Sequence, residues 1–363
     1  MASSPITTEK EIVSAFARIE DELIASMIRN LKRHQAEEVI EGFKWAQWQA
    51  EQLRLIDAYA RVNGLRYGRR FDVLNKKIET AIAQSYTDAG EAMERRILRA
   101  VAQGWTPVKE PGFFGLNSQR LDALIQATHS DLMTAEYSVL RQATDQYRKI
   151  VFDAQLYAQS GAGTYAQAID MATNDFLHKG IQSIPYRSKA TGQVVAVHRI
   201  ETYSQMVIRT STKRAAFVGE GDKRREWGCH LVYVPDRDDA CPDCMEWVGQ
   251  VLVDDVYSGG TEKEAQENDY PLLSEAMDAG LFHPNCKDTM STYFPGVSDD
   301  PTAPSAQRFR EATEREAKEV ERDKALANER KYERVAEYSL EEVKQERYQA
   351  LASKWEDYAE DIA

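Results

Sequence analysis

The sequence of 363 residues lacks the long apolar segments that a membrane span requires. No run of eighteen or more apolar residues occurs in it, whereas a transmembrane helix needs about twenty. The first residues, Met1–Thr8, also lack the basic start and apolar core of a secretory signal peptide. We therefore expect a protein that is made in the cytoplasm and does not associate with a membrane.

Cysteine is scarce, and the few cysteines lie close together. All four fall between Cys229 and Cys286. In a chain of this length, four clustered cysteines do not form the disulfide framework of a small secreted domain. The cysteine content thus indicates a protein made in a reducing compartment.

The sequence also lacks the common motifs of catalysis. It contains no G-x-S-x-G, no Walker loop, no G-x-G-x-x-G and no H-E-x-x-H. We therefore predict that the protein is not an enzyme.

Positive charge is in deficit. The chain has 46 Lys and Arg residues against 59 Asp and Glu residues, a net charge of -13, which disfavours strong nucleic-acid binding because phosphates are repelled. A local basic cluster at Arg66, Arg69 and Arg70 is more typical of a solvated helix face than of a phosphate site.

What the sequence does contain is two matched pairs of soft metal ligands. Cys241-Pro-Asp-Cys244 and His283-Pro-Asn-Cys286 have the same internal spacing and are about forty residues apart. Each pair places two ligands on one tight turn, and together they offer the four ligands that tetrahedral zinc prefers. Two alternatives remain open, namely buried thiols without a metal and a Cys241–Cys244 disulfide. Cys229 or His230 could also replace one ligand.

A zinc ion on these four residues would be structural. Four protein ligands fill the coordination sphere, whereas a catalytic zinc keeps one position for water. The nucleobase deaminase signature, H-x-E followed by P-C-x-x-C, is absent because Ala240 precedes Cys241 and no H-x-E occurs before it.

Apolar periodicity predicts a mainly α protein with a small α+β module. Residues 1–180 are predicted to be helical, beginning with an apolar stripe at Ile12, Phe16, Ile19, Leu23, Met27 and Leu31. We expect a helix break at Asn63-Gly64 and a helix that ends at Gly180.

Residues 181–297 are predicted to form the α+β module that carries the CxxC/HxxC site. Short strands are expected near residues 184–188, 193–198, 230–234 and 250–256, with a helix over 199–218, a loop over 258–270 and a short helix over 272–279. Residues 298–363 are predicted to be a linker and a charged helical tail in two pieces, the second capped by Ser339 and Glu342.

The order of motifs from about Gly163 to Gly296 resembles the phage minor capsid protein 2 family, and more distantly the Mu F-like minor head proteins. The resemblance rests on a series of stretches that includes Thr164-Tyr-Ala-Gln-Ala-Ile-Asp with Leu177-His-Lys-Gly-Ile181, Tyr186-Arg-Ser with Gly192, Val207-Ile-Arg-Thr210, Gly228-Cys-His-Leu-Val232, Arg237 with Ala240-Cys241, Trp247-Val-Gly-Gln-Val251, Gly280-Leu-Phe-His-Pro-Asn-Cys-Lys287 with Tyr293-Phe-Pro-Gly296, and the charged helix from Gln307. Lys287 departs from the arginine that is usual there, and the CPDC/HPNC pairing is more similar to the Mu F-like branch.

The resemblance implies a virion structural protein inside the phage head, close to the portal. Its expected partners are the portal protein, the major capsid protein or further copies of itself, and ejection with the DNA is compatible with such a position. The alternative is an injected effector enzyme, ADP-ribosyltransferase-like or zinc-dependent, since relatives of the Mu F-like type can carry toxin domains.

Overall fold

The computed structural model describes residues 5–41, 45–109, 118–160, 165–187, 191–238, 240–284, 286–339 and 341–362. Residues 1–4, part of the segment compared with a signal peptide, lie outside these ranges. The structure confirms a mainly α protein with a small sheet-containing module.

Helices account for most of the residues that the structure describes. They are α1 (Pro5–Glu41), α2 (Trp45–Ala102), α3 (Ser118–Gln159), α4 (Tyr165–Lys179), α5 (Ile200–Trp227), α6 (Glu262–Asn268), α7 (Leu273–Asp278), α8 (Ala306–Tyr338) and α9 (Glu342–Asp361).

The strands are short, and within the described residues each named strand pairs with its neighbouring strands in antiparallel fashion. β1 (Ile184–Arg187) and β2 (Val194–His198) form a hairpin, with Ile184 opposite His198. β3 (Leu231–Tyr233) lies between β4 (Val251–Val253) and β5 (Ser291–Thr292) in a second sheet. The predicted strands are thus confirmed, and β5 is an addition.

The predicted helix break at Asn63-Gly64 is wrong, because α2 continues through it. Buried side chains follow one helical face on both sides of this point, at Ile56, Tyr59, Asn63, Tyr67 and Phe71. Glycine inside a helix costs only about 0.5–1 kcal/mol, which this continuous buried face outweighs.

Two further predictions about local structure are also wrong. The expected loop over 258–270 contains α6, where Thr261 accepts the Glu264 backbone N–H and the Glu264 side chain accepts the Thr261 N–H. Ser339 does not cap α9, because its hydroxyl donates to the Val335 carbonyl at the end of α8.

The chain divides into two compact units. The first comprises residues 1–76, 131–204 and 320–363, and the second comprises residues 77–130 and 205–319. The β1–β2 hairpin therefore belongs to the first unit and the β4–β3–β5 sheet to the second. The three segments predicted from the sequence remain a hypothesis about domain organisation.

The core of the first unit contains the predicted stripe of α1. All six of its apolar residues are buried, and the Phe16 ring stacks on Phe71 of α2 at 5.7 Å. The α4 helix ends as predicted at Gly180, whose φ is +65°. A Cβ there would stand 2.9 Å from the buried Glu20 carboxylate, which accepts hydrogen bonds from Arg199 Nε and the Ile181 N–H.

The second unit is built around the part of α5 that begins at residue 205. Met93, Ile97 and Ala100 of α2 pack with Trp227 and Phe294 in one hydrophobic cluster. At the end of α5 the buried Arg224 donates to Asp254 Oδ2 at 3.0 Å, and Asp254 accepts the Tyr257 and Ser258 N–H groups. These contacts fix the sheet that carries both ligand pairs.

Candidate metal centre

The CxxC pair lies on a tight turn between β3 and β4. Cys241 is extended, Pro242 begins a single turn of 3-10 helix that ends at Cys244, and the Cys244 N–H donates to the Cys241 carbonyl at 3.1 Å. Pro242 suits the first position of such a turn, because proline has no N–H to satisfy there. The turn places both sulfur atoms on one side of the backbone.

The HxxC pair lies between α7 and β5. The Cys286 N–H donates to the His283 carbonyl at 3.0 Å, which closes a turn like that of the CxxC pair. The preceding residue, Phe282, has a φ of +57°, a left-handed conformation that is unfavourable for a bulky side chain. Its ring is buried against Phe217 at 4.9 Å, so packing holds the strained backbone in place.

The structure brings the four predicted ligands together. Their ligand atoms all lie within 4.8 Å of one another. Cys241 Sγ is 3.2 Å from His283 Nε2, and Cys244 Sγ is 3.5 Å from Cys286 Sγ. Bond lengths of about 2.3 Å to sulfur and about 2.0 Å to nitrogen put the ligands of tetrahedral zinc roughly 3.5–3.8 Å apart. The donor set and its spacing therefore fit a metal ion of this kind.

The histidine is oriented for coordination through Nε2. Its Nδ1 lies 3.0 Å from the Pro284 carbonyl oxygen. A carbonyl can only accept, so Nδ1 carries a proton, and Nε2 is the ring nitrogen that faces the cysteines. Metal-binding histidines commonly have their second nitrogen fixed in this way.

The electrostatics of the cluster favour a thiolate. Hydrogen bonds from the Cys241 and Cys244 thiols lower the pKa of Cys286 to about 2. The hydrogen bond with Cys241 raises the pKa of His283 to about 11. Hydrogen bonds with Cys241 and Cys286 raise the pKa of Cys244. A soft divalent cation binds to groups of this kind by displacing their protons.

Two residues that the sequence did not single out contact the ligand pairs. The Asp288 carboxylate accepts the Cys241 N–H at 3.0 Å. Lys213 Nζ, on α5, donates to the Asp288 carbonyl at 2.8 Å and also to the Cys286 carbonyl. The position of Asp288, two residues after Cys286, could have indicated from the sequence that it lies near the ligands. Nothing in the sequence connects Lys213 with residues more than seventy positions away.

Cys229 and His230, the alternative ligands, lie elsewhere. Cys229 belongs to the hydrophobic cluster with Trp227 and Phe294, and burial raises the pKa of its thiol to about 12. The His230 ring hydrogen-bonds through Nδ1 to the Ser258 hydroxyl at 3.2 Å. Neither residue joins the four-ligand cluster.

The space beside the cluster is small. A cavity of about 10 Å³ borders His283, Cys286 and Lys213. This volume is about the minimum that holds one water molecule.

The fold and the site together define a mainly helical protein with a Cys3His cluster that can hold a metal ion. The family model of phage minor capsid protein 2 matches residues 7–356, so the chain belongs to that family. The match also extends over the helical front half, where the motif resemblance did not reach. Membership supports a structural role in the capsid and a location in the virion.

The other comparisons gave no further relatives, since no curated protein and no solved structure matches the chain. None of the helices in the described ranges has a stretch long and apolar enough to cross a membrane.

Proposed function

We propose that this protein is a structural component of the phage head, that it lies inside the head near the portal, and that it contacts the portal protein, the major capsid protein or both. The observation that carries the proposal is the family match, which covers nearly the whole chain. The long helices support it as well, since α2 and α3 offer extended surfaces for docking on an oligomeric partner.

We further propose that a zinc ion bound by Cys241, Cys244, His283 and Cys286 has a structural role. Three thiolates and one imidazole complete a tetrahedral sphere and leave no position for substrate. The cavity beside the ligands, about 10 Å³ in volume, supports the same role, because a catalytic zinc site needs room for the reacting group.

The head location can be tested with purified phage. We expect the protein to sediment with intact heads, to resist protease until the heads are opened, and to cross-link to the portal protein. Its loss from heads that have released their DNA would show that it leaves with the genome. Protein on the outside of heads, or absent from them, would contradict the proposal, as would an NAD- or nucleotide-consuming activity in host extract.

Plasma emission spectroscopy tests the zinc site. We expect about one zinc per chain in the wild type, its loss in a Cys241→Ser/Cys286→Ser variant, and a lower melting temperature in that variant. Cys229→Ser is the matched control, because Cys229 is also buried in the second unit but lies outside the cluster. Wild-type protein without metal would contradict the zinc site, and zinc loss without a change in stability would contradict its structural role.

A further inference from the structure

Asp288 connects the two ligand pairs through direct hydrogen bonds. Its carboxylate accepts the Cys241 N–H at 3.0 Å, and its own N–H donates to Cys286 Sγ at 3.3 Å. The first bond holds the start of the CxxC turn, and the second orients a sulfur atom of the HxxC pair. One residue that is not a member of the cluster thus sets the separation of two ligands that lie 45 positions apart in the chain.

Lys213 fixes the backbone of the same segment to α5. Its ammonium group donates to the carbonyl oxygens of Cys286 and Asp288. The two carbonyl oxygens accept from the part-buried ammonium group and so offset part of the cost of removing it from solvent. The lysine therefore anchors the HxxC segment to a long helix and limits how far Cys286 can move.

The Asp288 carboxylate is itself costly to bury. The side chain is fully buried, and Oδ1 has no hydrogen-bond partner among the described residues. An unsatisfied buried polar atom costs about 1–3 kcal/mol. Such a cost is expected where a residue serves a site rather than general packing.

We propose that Asp288 is a positioning residue for the metal, which holds Cys241 and Cys286 at coordination distance before the ion binds, and that Lys213 secures Asp288 in this position. The proposal rests on the zinc site proposed above. The strained Phe282 backbone, one residue before His283, is a further sign that the ligand geometry is imposed by the surrounding packing.

The test compares zinc affinity, measured by competition with a chelator, in Asp288→Ala, Asp288→Asn and a control. Outer-shell partners of metal ligands typically contribute about 10–100-fold in affinity, and we expect a loss in this range for Asp288→Ala. Asparagine keeps an oxygen that can accept the Cys241 N–H, so Asp288→Asn should recover most of the affinity. Asp255→Ala is the control, because Asp255 accepts the Ser274 N–H at 3.0 Å without touching a ligand.

Cobalt substitution separates positioning from general stabilisation. The sulfur-to-cobalt charge-transfer and d–d bands report the ligand geometry, so we expect them to change in Asp288→Ala and to match the wild type in Asp288→Asn and Asp255→Ala. Should Asp288→Ala fail to fold, Lys213→Met gives the same test, with an expected affinity loss of about tenfold.

Two outcomes are decisive against the inference. If Asp288→Ala, or Lys213→Met in its place, binds zinc as tightly as the wild type and leaves the cobalt spectrum unchanged, the residue is only part of the packing. If wild-type protein binds no zinc, the metal site itself is refuted, and this result is distinct because it does not depend on any variant.

Discussion

Replacing Arg224 with methionine should strongly destabilise the second unit. The guanidinium is fully buried and donates to Asp254 Oδ2 at 3.0 Å, to Glu220 Oε2 at 3.2 Å and to Thr292 Oγ1 at 3.4 Å. It therefore links α5 to the residue that follows β4 and to β5. Methionine fills a similar volume but removes every one of these donors.

The magnitude follows from the charge that the substitution leaves behind. Asp254 is also fully buried, and without Arg224 it keeps its backbone donors at Tyr257 and Ser258 but loses its cation. Removing one partner of a buried ion pair typically costs about 3–5 kcal/mol. We therefore expect Arg224→Met to lower the free energy of unfolding by roughly that amount.

A double-mutant cycle identifies the cause. Adding Asp254→Asn to Arg224→Met removes the unpaired charge, so the double variant should be more stable than the sum of the two single effects predicts, with a coupling of about 0.5–3 kcal/mol. Urea unfolding measures each free energy. The control is Arg95→Met, whose exposed partner Glu91 is 3.5 Å away and whose effect should be about 0.3–0.5 kcal/mol. A loss below about 1 kcal/mol for Arg224→Met, or strictly additive effects, would refute the reasoning.

Three further predictions concern other parts of the molecule. Burial raises the pKa of Glu136 to about 7 from an ordinary 4.5, so the folded state binds this proton more tightly than the unfolded chain. The stability of the wild type relative to Glu136→Gln should therefore fall by up to roughly 3 kcal/mol as the pH rises from 4.5 to 7. A difference in stability that does not change with pH would contradict this. Gly219→Ala should destabilise by about 1–3 kcal/mol, because its Cβ would stand 2.2 Å from the Tyr86 carbonyl oxygen, whereas Gly68→Ala, which meets nothing within 4 Å, should be neutral or stabilising in thermal melts. Chelation of zinc should lower the melting temperature of the wild type but not of Cys241→Ser/Cys286→Ser, as calorimetry can check.

The sequence was sufficient to predict features that depend on local spacing. The α1 stripe, the strands β1 to β4 and the Cys241–Cys244 and His283–Cys286 pairs each rest on residues a few positions apart, and the structure places them as expected. The sequence also contained a local signal for α6, the Thr261–Glu264 capping box. The polar composition of this segment favoured a loop, and a loop was therefore predicted.

Features that depend on distant contacts could not be predicted in this way. Asn63 and Gly64 favour a turn by themselves, yet Asn63 is buried along a helix whose other buried residues begin before and continue after it. Lys213 has the sequence environment of an ordinary surface lysine, and only the folded chain places its ammonium group at Cys286 and Asp288. The contacts of these residues are determined by the tertiary fold rather than by the residues adjacent to them in the sequence.

The small size of the second sheet gives a physical reason why the zinc proposed above would stabilise this unit. β3 and β4 have three residues each and β5 has two, well below the usual strand length of about five or six.

The ligands paired at 3.2 and 3.5 Å are 42 positions apart in both cases, and closing a flexible loop of that length costs about 3 kcal/mol of chain entropy. Binding of structural zinc supplies about 10–16 kcal/mol in small metal-folded domains, more than enough to offset this cost. The hydrogen bonds of Asp288 and Lys213 then lower the cost further by holding the ligand pairs together, so zinc affinity and the stability of the second unit should change in parallel across variants of these residues.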